Sequence, residues 1–164
     1  MSSYKDPIIE TYLNLIKTQR GDIRKYFNGL VTKVAASECP CIMIGIDNTE
    51  VNESNNVDDE HRLNLILVLV TDIRQNYEDS VRIDNGVNKV QDILIGRESN
   101  LKLKSNSILN IIRTNVDADS TYNLRTDLGE ITVATPKEIT VGRLAEHWST
   151  EGTISFQAYF SQER

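Results

Sequence analysis

The chain reads as an α+β fold: a mixed or antiparallel β-sheet of four or more strands packed with two main helices. The expected order is α-β-β-α-β-(inserted hairpin or arm)-β. Three observations lead there. The first thirty residues carry apolar side chains at three- and four-residue steps after an Asp-Pro pair. Residues 62–74, RLNLILVLVTDIR, are apolar on both faces of an extended chain, and residues 153–160, TISFQAYF, alternate at period two. Helical and strand periodicities in one short chain mean helices laid on a sheet.

Asp6-Pro7 opens the first helix, since the Asp oxygen can accept from free N–H groups and Pro has no donor to orphan. Ile8, Ile9, Tyr12, Leu15, Ile16, Ile23, Tyr26, Phe27 and Leu30 extend one apolar stripe to Gly29, with Gly21-Asp22 as a kink or a stop followed by a fresh cap. Cys39 to Ile46 is a short apolar strand with a proline near its beginning, as suits a strand start or an edge. Asp47 to His61 is a polar loop with six acidic residues, longer than a hairpin turn and solvated. Arg62 to Arg74 is the central strand: Leu63, Leu65, Leu67 and Leu69 line one face, and Ile66, Val68 and Val70 the other. Such a strand needs cover on both sides, from helices or from a neighbouring subunit.

Val81, Val87, Val90, Ile93 and Leu94 predict a second amphipathic helix over Asp84 to Arg97, and Ser107 to Val116 reads as a third strand. Asp117 to Trp148 holds a repeat, Glu130-Ile-Thr-Val133 and Glu138-Ile-Thr-Val141. It is compatible with a hairpin around the intervening proline, or with Thr135, Pro136 and Glu138 as a capping box opening a short helix. The last strand presents Ile154, Phe156, Ala158 and Phe160 to one side and Ser155, Gln157 and Tyr159 to the other. No linker rich in Gly, Pro or Ser divides the chain, so 1–164 is one domain with 117–148 as an inserted arm.

Composition narrows the function. The 164 residues carry 18 basic and 24 acidic side chains, net −6, which speaks against a general binder of the phosphate backbone. The polar start MSSYKD is no secretory signal, and the longest apolar run, Leu65 to Val70, falls far short of the ~20 residues that span a bilayer. A soluble protein of a reducing compartment, with no membrane contact, is the expectation.

The sequence carries no recognisable catalytic or metal-binding motif. Cys39 and Cys41 share a strand face, but a thiolate zinc site wants four ligands and an i, i+2 disulfide would be strained, so both read as buried structural cysteines. His147-Trp148 reads as an anchor on the core or on a partner, since no nucleophile or orienting group can be set beside the histidine. Asp58-Asp59-Glu60 and Asp117-Ala-Asp119 lack the glycine turn and closing glutamate of a calcium loop. Lys17, Arg20 and Arg24 form a short positive ridge, broken by Glu10 and Asp22. The expectation is a protein that is not an enzyme and needs no cofactor or metal.

The order of elements resembles the tail-terminator (tail-completion) proteins of long-tailed bacteriophages. The resemblance rests on the long N-terminal helix, the Cys-Pro-Cys-Ile-Met-Ile strand, and the acidic loop leading into RLNLILVLVTDIR and the helix around VNKVQDIL. The closing strand TISFQAYF completes it. It spans most of the chain and is one of pattern, without a diagnostic motif; Asp117 to Trp148 departs from the compact family plan.

The resemblance implies a viral structural protein of the virion neck, assembled in the host cytoplasm. It would form a homo-oligomeric ring, commonly a hexamer, on the head-proximal end of the tail tube. The ring ends tube growth, meets the tail tube protein and the head-completion connector, and leaves a channel through which DNA only passes. The acidic loop (Asp47, Glu50, Glu53, Asp58, Asp59, Glu60) is the candidate for the lumen or the tube end, where negative charge keeps DNA sliding. The arm (Glu130, Ile131, Val133, Glu138, Ile139, Val141, Trp148) is the candidate subunit contact. The rival reading uses the same acidic loop in a small protein that mimics nucleic acid and inhibits a host enzyme.

Overall fold

The computed structural model describes residues 4–53, 57–72, 83–135 and 149–163. Helix α1 (Pro7–Gln19) begins as expected, with Asp6 Oδ1 accepting from the Ile8 and Ile9 amides at 2.8 and 3.3 Å. It does not run on to Leu30. Arg20 leaves the helical conformation, and its guanidinium turns inward to donate to the Asn106 carbonyl at 2.6 Å and to both oxygens of Asp22. The apolar positions beyond belong to strand β1 (Lys25–Asn28), in which Tyr26 packs on one side of the sheet and Phe27 on the other. Four apolar residues in eight fit either period, and Gly21 decides for a stop. The positive ridge dissolves with it, because Arg20 is buried and Arg24 lies outside the helix.

Strand β2 (Cys41–Glu53) runs antiparallel to β3 (Asp58–Asp72), from Cys41 opposite Val70 out to Glu53 opposite Asp59. The polar stretch 47–61 is therefore a strand hairpin and not a solvated loop; only 54–56 lie outside the described residues. Backbone pairing holds it, since β3 is also paired on its other side with β6 (Ser149–Glu163), as far as Asp58 opposite Glu163. A polar sequence forms a strand when both neighbouring ladders exist.

Helix α2 (Ile83–Ile95) matches its expectation to within two residues and buries Val90, Ile93 and Leu94. Residues 107–116 are not a strand: Ile108–Thr114 form a helix, α3, capped by the Ser107 hydroxyl. Its buried Ile108, Leu109, Ile111 and Ile112 follow the helical i, i+1, i+3, i+4 pattern. Strands β4 (Asp117–Asp119) and β5 (Leu124–Ala134) follow. The sheet order is β1-β2-β3-β6-β5-β4, parallel between β1 and β2 and antiparallel elsewhere. An α+β fold with a mixed sheet is what the sequence predicts, with three described helices where two were expected. Within 117–134, β4 and β5 belong to the main sheet and are not an added arm; 136–148, with Glu138, Ile139, Val141, His147 and Trp148, lie outside the described residues.

The two-faced strand is covered on both sides by this chain. Leu63, Leu65, Leu67 and Leu69 meet the helices in the main core, with Tyr12 edge-on to Phe156. On the other face Val68 and Val70 bury against Val34, Cys39, Cys41 and Met43, with Phe27 and Val31 at the margin. Gly29, at a φ of 105° that favours glycine, turns residues 31–39 back over that face. The uncovered apolar surface expected there is filled by the chain's own β1–β2 connection.

Candidate interaction face

The face of the sheet turned away from the helices changes character along the strands. Next to Cys41 and Val70 it is buried and apolar, and beyond Ile66 it is polar. Residues directly opposite share a face, so the register lays out two cross-strand rows. Asn48, Asn64, Gln157 and Asp127 form one; Glu50, Arg62, Tyr159 and Arg125 form the next. Arg62 is the hub. It donates to Glu60 and, at 3.1 Å, to Gln157 Oε1, approaches Asp127 to 4.0 Å, and lies 5.5 Å over the Tyr159 ring. Gln157 Nε2 passes the chain on to Asn64 Oδ1 at 3.1 Å, and Arg125 pairs with Asp117 at 3.3 Å. Half-exposed as they are, these pairs fix side-chain orientation more than they stabilise the fold.

Two sheet irregularities bracket this face at one level. In β2 the register slips between Ile46 and Asn48. In β5 four residues, 128–131, stand against Phe156 alone, between the Asp127–Gln157 and Thr132–Ser155 pairs. The Asp127 carboxylate accepts from the Gly129 amide at 2.8 Å and holds the β5 bulge. Bulges bend and twist a strand, and between these two a groove of about 460 Å³ opens, lined by Asp47, Asn64, Thr132, Ser155 and Gln157.

Past this level β1 no longer flanks β2, while β5 and β4 accompany β6 as far as Tyr159; beyond that row the β2–β3 hairpin and β6 run on as a three-stranded tongue. Every residue of β2 from Ile46 to Glu53 is exposed, on both faces. Of the predicted acidic set, Asp47 borders the groove, Glu50 sits across from Arg62, Glu53 across from Asp59, and Glu60 receives the Arg62 bond. Asp58 and Asp59 close the tongue against Glu163 and Gln162. The structure thus gathers all six on one element. Of the predicted contact set, Ile131 and Val133 pack on the core from β5, and Glu130 lies between them and Gly129.

The tongue's helix-side face carries His61, stacked on Phe160 with ring centroids 4.5 Å apart. Beside it a groove of about 690 Å³ is lined by Tyr4, Ile8, Tyr122 and Phe160. The two cysteines are fully buried, far along the strand from His61. The Cys39 thiol reaches the Ala35 carbonyl at 3.9 Å. A hydrogen bond from Cys41 holds Cys39 below the ordinary thiol range, and the same contact, with burial, pushes Cys41 up. This is a satisfied pair within the smaller core. Asp119 accepts from the Thr121 amide at 2.9 Å, a turn contact.

Arg62, Asn64, Asp127 and Arg125 are not recognisable as face residues from sequence. Alternation in the last strand already set Gln157 and Tyr159 on the outer face, but no single-strand pattern shows which residues lie across from them. Among the described residues no helix is long and apolar enough to cross a membrane. Neither a family model nor a curated protein sequence matches this chain.

Proposed function

We propose that the chain is a structural protein of the phage virion. It closes as a ring, six copies being the expected number, on the head-proximal end of a tail tube, stops tube growth and joins the tail to the head connector. The observation that carries this reading is the tongue. A three-stranded extension exposed on both faces of β2 and held by backbone pairing is an element for meeting other chains. Its six carboxylate residues, Asp47, Glu50, Glu53, Asp58, Asp59 and Glu60, give the lumen or the tube end a surface along which DNA slides. Ring closure draws on the β4–β5 side of the sheet, and not on an uncovered core, since the apolar stretch of β3 is covered on both faces.

Native mass spectrometry at micromolar concentration, with and without cognate tail tubes, tests the proposal. A closed set of identical copies in either condition supports it. A monomer in both conditions, with no binding to tubes, overturns it. The acidic residues of the paired β2 and β3 also favour a second reading, a nucleic-acid mimic. That reading requires a monomer that binds a host nuclease and is released by DNA.

A further inference from the structure

We infer that the outer edge of β2, from Ile46 to Asn52, is a strand-addition site for a basic extended segment of another protein. Strand β1 pairs with β2 only from Lys25–Cys41 to Asn28–Ile44, and the Gly29 amide adds a last bond to the Ile44 carbonyl at 2.7 Å. Leu30 then lies so close over Gly45 that a Cβ there would come within 2.6 Å of it. Beyond this plug, no described residue bonds the outer side of the β2 backbone, while β3 holds its inner side in register to Glu53. The strand is thus kept extended with its outward N–H and C=O groups open, the arrangement onto which a peptide adds as a further strand.

The side chains state which peptide. Asp47 and Glu50 lie on the edge, and Glu60 is opposite Asn52. A second copy of this strand laid alongside would set carboxylates against carboxylates, which disfavours pairing. The same charges attract lysines and arginines. Ile46 and Val51, 39% and 55% exposed, offer apolar contacts between the charges. An acidic edge therefore guards against self-association while admitting a basic partner. This inference does not depend on the ring reading.

The test titrates ¹⁵N-labelled full chain with a blocked heptapeptide, Lys-Thr-Val-Lys-Val-Thr-Lys, and with its counterpart carrying Glu for Lys. The amide signals of Ile46 to Asn52 should shift with the basic peptide. Its affinity at low salt should exceed that of the acidic one at least tenfold, and the gap should shrink at high salt. Backbone N-methylation of the basic peptide should abolish the shifts. The double variant Asp47→Lys, Glu50→Lys should reverse the preference. Equal binding of both peptides, shifts that survive N-methylation, or self-association of the chain through this edge would each overturn the inference. The wild-type titration alone decides if the variant does not fold.

Discussion

Tyr12 shows how a single polar atom ties the helices to the far side of the sheet. Its hydroxyl and the Thr126 hydroxyl lie 2.7 Å apart, both residues buried, joining α1 to β5. Tyr12→Phe leaves Thr126 without that partner and should cost about 1–3 kcal/mol, read as a lower urea midpoint at unchanged slope. Burial pushes the Tyr12 pKa up to about 12, with the bond to Thr126 pulling the other way. The folded state thus keeps a proton that the unfolded chain loses near pH 10. Stability from this group is full below about pH 10 and is lost as pH rises toward 12, a share of the alkaline decline that Tyr12→Phe should lack. Asp22 has the opposite sign: the Arg20 hydrogen bond holds its carboxyl below the usual range. Its contribution is present above about pH 4 and is lost as pH falls through the lower folded value. The stability gap between wild type and Asp22→Asn should therefore close in acid, as thermal melts from pH 6 to 2 would show.

At the scale of elements, Gly152 sets how closely α2 lies on the sheet. A Cβ there would stand 2.4 Å from Val90 Cγ1 and 2.6 Å from Leu94 Cδ1. Gly152→Val should lift the helix and destabilise by about 1–3 kcal/mol, visible in a denaturant titration. Elements whose own side chains decide their form were legible: α1 by its cap, α2 by its stripe, β3 and β6 by two-faced and one-faced alternation. Three were not. Residues 108–112, ILNII, are β-branched enough to read as a strand, but the Ser107 cap and burial against α1 and α2 make them helix. Tyr26 and Phe27 fit a helical stripe, yet pack on opposite faces. The acidic stretch around Glu50 is too polar to announce a strand, because its order comes from the Glu50–Arg62 ladder, which β6 holds in turn through Arg62–Tyr159. The candidate face was half legible for the same reason: composition located the acids, while the Arg62–Gln157–Asn64 chain exists only in the register.

For the whole molecule, the division of labour runs along the strands. One end of the sheet is covered on both faces, by three described helices and by the 31–39 connection, and supplies the stability. The other end carries the acidic charge of the β2–β3 hairpin, beyond the register slip in β2. Such a separation lets side chains of the tongue change without loosening the core. The net charge of −6 is thus no diffuse property: six carboxylates extend on one arm, consistent with a channel wall that DNA passes. Electron microscopy of cognate tail tubes incubated with the purified protein tests this most directly. A single ring should cap one end of each tube, with the acidic tongues toward the channel or the tube end. Tubes that bind no protein at either end, or a ring whose tongues point outward from both, would contradict it.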